Sequence, residues 1–316
     1  MDFAGLKTIP IRARGGKVGA ADLARPYEQG SGVTGLLDSL PRILAADSFR
    51  AVIDALVRAR ANGKPVLWGL GGHVIKCGLA PVLIDLMRRG FATGFVLNGA
   101  SSIHDFEIAI AGHTSEDVEA VLPDGSFGSA EETGREMNQA IVQGAADGIG
   151  IGEALGRRLR DLADPSFAAL SLVHEAYLAG TPVTVHVAIG TDTTHTHPEA
   201  VGAAIGQGSH HDFRLLCTLV SEMNDGGVYL NVGSAVLLPE VFLKAVSVVR
   251  NLGNPLKHFT TVNFDFLQHY RPRANVVERP HAGAGGRGYS ITGHHELMIP
   301  LLAAALVESK MSESGS

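Results

Sequence analysis

The stretch GTDTTHTHPEAVGAAIGQGSHH at residues 190–211 gathers Asp192, His195, His197, His210 and His211. Imidazole and carboxylate together suit zinc, manganese or iron, and histidines two positions apart share a face where the chain is extended. A metal-dependent hydrolase or lyase is therefore one chemistry the segment allows. Against it, neither an H-x-x-x-H helix nor H-E-x-x-H occurs there, although H-E-x-x-H is the spacing that puts two imidazoles on one helical face. The other readings are the wall of an organic-cofactor pocket and a polar loop. We take the pocket wall and expect no metal in it.

A second concentration is SITGHHEL at 290–297, where His294 and His295 precede Glu296. A carboxylate in a first helical turn is favoured by the helix dipole, so a capped helix start explains the pattern without chemistry. The functional alternative draws on the fact that imidazoles work as general bases near neutral pH. It groups His104, Asp105, His195, His294 and Glu296 around one reactive centre, with His104, Asp105 and Glu296 holding or deprotonating a substrate.

These residues meet only if the fold brings them together. DSFRAVIDALVRARANG, 47–63, puts Phe49, Ile53, Leu56 and Val57 on one helical face, with Asp47 as N-cap and Gly63 as stop. After it, short apolar runs alternate with helical patterns: KPVLWGLGG, TGFVLNGASS, TPVTVHVAIGTD, GVYLNVGS and HFTTVNFDF are each followed by a turn and a helix-like segment, the last being HELMIPLLAAALVESK. Alternation of this kind predicts a mostly parallel, Rossmann-like sheet in a three-layer α/β/α arrangement, because parallel neighbours require crossovers and the crossovers are usually helices. No break in composition marks a linker, so residues 1–316 read as a single α/β domain with 1–45 as an N-terminal arm. AGAGGRG at 282–288 reads as a mobile lid or crossing loop, with Arg287 as a clamp for an anion.

Ligands of such sheets bind beyond the carboxyl ends of the strands. That rule selects Gly71, Gly72 and His73 after the first run, and Asn98, Gly99, Ala100 and Ser101 after the second. It also selects Gly190, Thr191 and Asp192 after the third, Gly233 and Ser234 after the fourth, and Asn263 and Asp265 on the fifth. Small residues let a pyrophosphate approach the backbone, and carboxylates accept hydrogen bonds from ribose hydroxyls, so a dinucleotide is the expected guest. GLGGHVIKCG is not the G-x-G-x-x-G fingerprint; the recurrence of glycine after several strands carries the reading.

Composition excludes other classes. The formal net charge of -6 comes without a basic stripe, and nucleic-acid binding needs clustered Lys and Arg. Two cysteines, Cys77 and Cys217, cannot build a disulfide framework or a four-thiolate zinc site, which fits a reducing, cytoplasmic setting. The apolar run LMIPLLAAALV at 297–307 is shorter than the ~20 residues that span a bilayer.

From 45 to 308 the chain resembles the deoxyhypusine synthase family, collinearly and without one exact motif. The resemblance runs through GGHVIKCGLAPVLIDLMRRGFATGFVLNGASSIHDFEIAIAG, DGSFGSAEETGREMNQAI, VTVHVAIGTD, YLNVGSAVLLPEVFL and GHHELMIPLLAAAL. It implies an NAD-binding fold, a homotetramer and cofactor contacts at Gly72, His73, Asn98, Gly99, Ala100, Asp192, Gly233 and Ser234. It also implies an acidic position near a polyamine site at Asp105. The family's essential lysine follows the last sheet strand, but YRPRANVVERPHAGAGGRGYSITGHH contains no Lys. The resemblance therefore implies an NAD-dependent oxidoreductase or transferase acting on a small amine or amino-acid-like substrate without a lysine imine, and not a deoxyhypusine synthase. A non-catalytic NAD sensor is the remaining alternative.

Overall fold

The computed structural model describes residues 1–309. Its helices and strands follow in the order α1 (Gly32–Ser39), α2 (Leu44–Ala61), β1 (Val66–Leu70), α3 (Gly72–Lys76), α4 (Ala80–Arg88), β2 (Gly94–Asn98), α5 (Gly99–Ala111) and α6 (Val118–Val121). Then come α7 (Glu131–Asp147), α8 (Ile151–Leu162), α9 (Leu172–Leu178), β3 (Val183–His186), α10 (Gly202–Ser221), β4 (Val228–Val232) and α11 (Leu237–Asn251). The chain closes with β5 (Thr260–Asp265), α12 (Tyr270–Pro272), a π-helical turn at Arg273–Glu278, β6 (Arg287–Thr292) and α13 (His295–Glu308). Lys310, the last residue of the expected final helix, lies outside the described residues.

All six strands form one parallel sheet in the order β3-β2-β1-β4-β5-β6. This is the three-layer α/β arrangement that the alternation of runs and helical patterns requires. Strand periodicity builds the layers. Val66, Trp68 and Leu70 of β1 pack into one core with α2, α4, α5 and α13, whereas Leu67 joins Tyr229 and the apolar faces of α10 and α11 on the other side. β1 is buried at every position, as expected of a strand covered on both faces. Trp68 is fully buried, and its indole N–H donates to Phe91 O at 2.9 Å.

Two expectations are corrected. The last two residues of the 282–288 segment, Arg287 and Gly288, open β6, an edge strand that the sequence does not reveal because it has no buried apolar run. Arg287 opens this strand with its guanidinium 5.2 Å from the Tyr289 ring centre. α2 begins at Leu44, which leaves Asp47 in its first turn instead of at the cap, where the dipole also favours a carboxylate. Residues 1–31 hold only two 3-10 turns and are almost wholly exposed, while Thr34 of α1 donates through its N–H to Glu308 of α13 at 3.1 Å. No helix among the described residues is long and apolar enough to cross a membrane.

Asp212, buried on α10, ties β3 to the start of α8. Its Oδ2 accepts the N–H groups of Val185 at 2.8 Å and Gly152 at 3.0 Å. Burial outweighs those bonds and pushes its carboxyl up to about 7. The folded chain therefore holds this proton more tightly than the unfolded chain, in which the group titrates near ~3.9. Stability from this group is full below the unfolded value and declines as pH rises from about 4 through 7. Asp212→Asn keeps an oxygen for both amides and removes the ionisation. Thermal unfolding at acid and mildly alkaline pH should show the wild type losing melting temperature across that window and the variant losing less; equal slopes would contradict the assignment.

Candidate active site

The strand order reverses direction between β1 and β4, and at this point loops diverge from the carboxyl edge. The two loops there are pressed together. Gly71 N–H donates to Val232 O at 2.8 Å, and a Cβ on Gly71 would collide with the Gly233 carbonyl. Gly233 has φ +69 and lies against the His295 ring, so a side chain there is excluded twice. These glycines act as close-packing residues, and the open space lies beside them.

A cleft of about 250 Å³ opens across the carboxyl ends of β1, β2 and β3. Lys76 of α3, Ala100 and His104 of α5, and Thr191, Asp192 and Thr193 line it, among others. Gly72 permits the narrow approach, since a Cβ there would stand 2.9 Å from the Ala100 methyl and 3.4 Å from His104 Cδ2. Asp192 lies against Gly99, the first residue of α5. Its Oδ2 is buried with no hydrogen-bond partner and stands 3.8 Å from His195 Nε2. Burial raises its pKa above the usual carboxylate range, with His195 and Thr191 opposing the shift. An orphaned buried oxygen at a helix start in a cleft wall suits a hydroxyl donor such as a ribose.

His104 has a defined tautomer. Thr114 donates its single hydroxyl proton to Glu107 Oε2, so its Oγ1 must accept at the 2.7 Å contact with His104 Nδ1. Nδ1 therefore carries the proton, and Nε2 keeps its lone pair. Burial lowers the His104 pKa, and Lys76 lowers it further, against the opposing pull of Glu107. The imidazole is thus neutral near pH 7, with a basic nitrogen available. Glu107 escaped the sequence reading, although it lies three residues after His104, the spacing that sets two side chains on one helical face.

Glu107 also lines a second, larger cavity of about 660 Å³ between α5 and α7. The two spaces share Glu107, Ser115 and Glu116. Glu132 and Glu136 add carboxylates to the larger one, and Arg135 adds a cation. Glu136 is buried and neutralised by Arg135 and by Arg158, whose Nε donates at 2.7 Å. Glu107, Glu116 and Glu132 remain, so the cavity favours a cation.

Several expected residues have other employment. Asp105 does not face the cleft: it is fully buried, and its carboxylate accepts Ser171 Oγ at 2.5 Å, Leu172 N–H at 2.6 Å and Val173 N–H at 2.9 Å at the start of α9. Helical periodicity puts position 105 on the same inward face as Ser101, Ser102 and Ala109. Asn263 is likewise sealed in the sheet, accepting from its register partner Asn231 at 2.7 Å and donating to Gln268 at 2.8 Å. Asn98 caps α5 by accepting from Ser101 N–H at 2.9 Å, and Ser234 Oγ accepts from Leu238 N–H at 3.2 Å as α11 begins.

The histidines of 190–211 disperse. His195 lies in a 3-10 turn, where Nδ1 accepts from Gly190 N–H at 3.1 Å. His197 Nε2 stands 3.4 Å from Glu131 Oε2, and His210 and His211 ride on α10. Glu296 comes instead to His73 and Cys77, with one donor atom of each within 4.8 Å of the others. His294 stacks on Phe266, with ring centres 5.8 Å apart.

Comparison of this architecture with solved structures gives a likeness of fold. A protein from Methanococcus maripaludis S2 described as LOR/SDH superposes with a TM-score of 0.52 at 14% identity, covering 84% of this chain and 70% of that one. Its fold is shared here. Unliganded AgrE superposes with a TM-score of 0.52 at 14% identity, covering 83% of this chain and 33% of AgrE, so the chain spans about a third of that protein. A protein from Entamoeba histolytica described as a deoxyhypusine synthase matches at a TM-score of 0.49 and 10% identity, over 90% of this chain and 96% of that one. No family model and no curated protein matches the sequence.

Proposed function

We propose that this chain is an NAD-dependent enzyme that oxidises a small cationic amine or basic amino acid. The observation that carries the reading is the wall shared by two spaces at Glu107, Ser115 and Glu116: a cleft at the carboxyl edge of a β3-β2-β1-β4-β5-β6 sheet, and an acidic cavity beside it. Gly72, Ala100 and Asp192 would hold the nucleotide, with the orphaned Asp192 Oδ2 accepting a ribose hydroxyl. AgrE, which shares this fold in its unliganded form, has been solved with ornithine and NAD+.

Bound NAD supplies a hydride acceptor. The protein does the rest. Glu107 and Glu116 attract the substrate cation and orient it along the shared wall. An ammonium must lose a proton before the adjoining carbon can release hydride, and His104 Nε2 takes that proton. Thr114 and Glu107 then steady the imidazolium, because the Nδ1 proton already points along their hydrogen-bonded chain. His195, 3.8 Å from Asp192 Oδ2, would support the cleft wall, and the assembly is proposed to be a cytoplasmic homo-oligomer.

Incubating the protein with NAD and a panel of diamines and basic amino acids tests this reading. NADH should form with at least one cationic member and with no neutral isostere, and Glu116→Gln should raise KM by roughly 10-fold, the value of one charge-assisted contact. NAD binding with no turnover across the panel would instead identify a sensor.

A further inference from the structure

We propose that His73, Cys77 and Glu296 form a zinc site at the junction of α3 and α13. One donor atom from each lies within 4.8 Å of the other two, and this is the one grouping of three such donors among the described residues. The chain builds it from two directions. Cys77 ends α3, and its N–H bonds His73 O at 2.9 Å, a helical turn that sets side chains four apart on the same face. Glu296 arrives in the first turn of α13, which is fixed in place from below. His295 is buried, its Nε2 lies 3.2 Å from Phe264 O, and Gly293 N–H donates to Asp265 O at 3.2 Å.

The donor set selects the ion. Thiolate sulfur argues against magnesium and calcium, while imidazole, thiolate and carboxylate together suit zinc. Bond lengths of about 2.0–2.3 Å put donors roughly 3.3–3.8 Å apart around a tetrahedral zinc. His73 and Glu296 have exposed ends, so modest side-chain rotation closes the present gap. The His73 ring is braced by His295, with centroids 5.8 Å apart, and Glu296 by His294 Nδ1 at 3.7 Å. Three protein ligands leave an open coordination position for water or for an oxygen of a bound molecule. Lys76, on the same short helix, lines the neighbouring cleft, so occupancy sits next to the proposed catalytic space without depending on it.

The test uses the full chain, stripped with chelator and titrated with Co2+ in the absence of nucleotide. One Co2+ per chain is expected, with a near-ultraviolet thiolate-to-cobalt charge-transfer band that Zn2+ abolishes by displacement. Cys77→Ser should lose the band, and His73→Ala and Glu296→Gln should each weaken binding by about 10-fold or more, while His210→Ala should match wild type. His73 and Glu296 are exposed, so their variants keep the fold and remain informative if Cys77→Ser does not. Absence of the band, or stoichiometric binding that survives both His73→Ala and Glu296→Gln, overturns the proposal. Failure of NAD to bind would leave it standing.

Discussion

Replacing His104 with alanine is expected to lower the rate of NAD-linked amine oxidation by about 10²–10⁴-fold, the usual contribution of a positioned general base, while NAD affinity changes by only a few fold. The asymmetry follows from the geometry. The imidazole is held at Nδ1 by Thr114, and Thr114 by Glu107, so Nε2 is the unprotonated nitrogen. Because burial lowers its pKa, the acid limb of kcat/KM should lie below the ordinary imidazole value of about 6.5. Thr114→Val, which cannot relay the hydrogen bond, should cut the rate less than His104→Ala does and shift that limb. Steady-state NADH formation across pH measures both effects. An unchanged rate in His104→Ala would remove the base from the mechanism.

The second large effect is on stability. Asp105→Ala should destabilise the fold by about 3–5 kcal/mol, because it strands the buried N–H groups of Leu172 and Val173 and the Ser171 hydroxyl together. Asp105→Asn retains one acceptor oxygen and should fall between the two. Burial raises the Asp105 carboxyl to about 6, so its net contribution comes from the acceptor geometry more than from charge. Denaturant unfolding reads the difference. If Asp105→Ala unfolded like wild type but lost activity, the sequence expectation of a catalytic Asp105 would be right and the structural assignment wrong.

The sequence made the sheet legible because five short runs rich in apolar residues each lead into a turn and a helical pattern. β6 was hidden because an edge strand beside solvent needs no apolar run, and the glycines just before it made its start resemble a loop. The candidate site divided along similar lines. Residues just beyond strand ends, such as Ala100 and Asp192, reached the cleft because topology alone puts them there. Asp105 and Asn263 did not, since side-chain direction on a helix or in a sheet is set by packing partners far away in the chain, here Ser171 and Asn231. The histidines of 190–211 were close in sequence and separated by the 3-10 turn and the start of α10, whereas Glu296 joined His73 and Cys77 from the opposite end of the chain. Proximity in sequence was a poor guide to proximity in space for each of these polar groups.

The most direct test of the account is an equilibrium titration of NAD against the wild-type protein and against Asp192→Ala. We predict saturable binding of one NAD per chain, weakened at least 10-fold by removing the buried Asp192 carboxylate with its unpartnered Oδ2. Absence of saturation at millimolar NAD, or equal affinity in the two proteins, would contradict the placement of the nucleotide on which the proposed function stands.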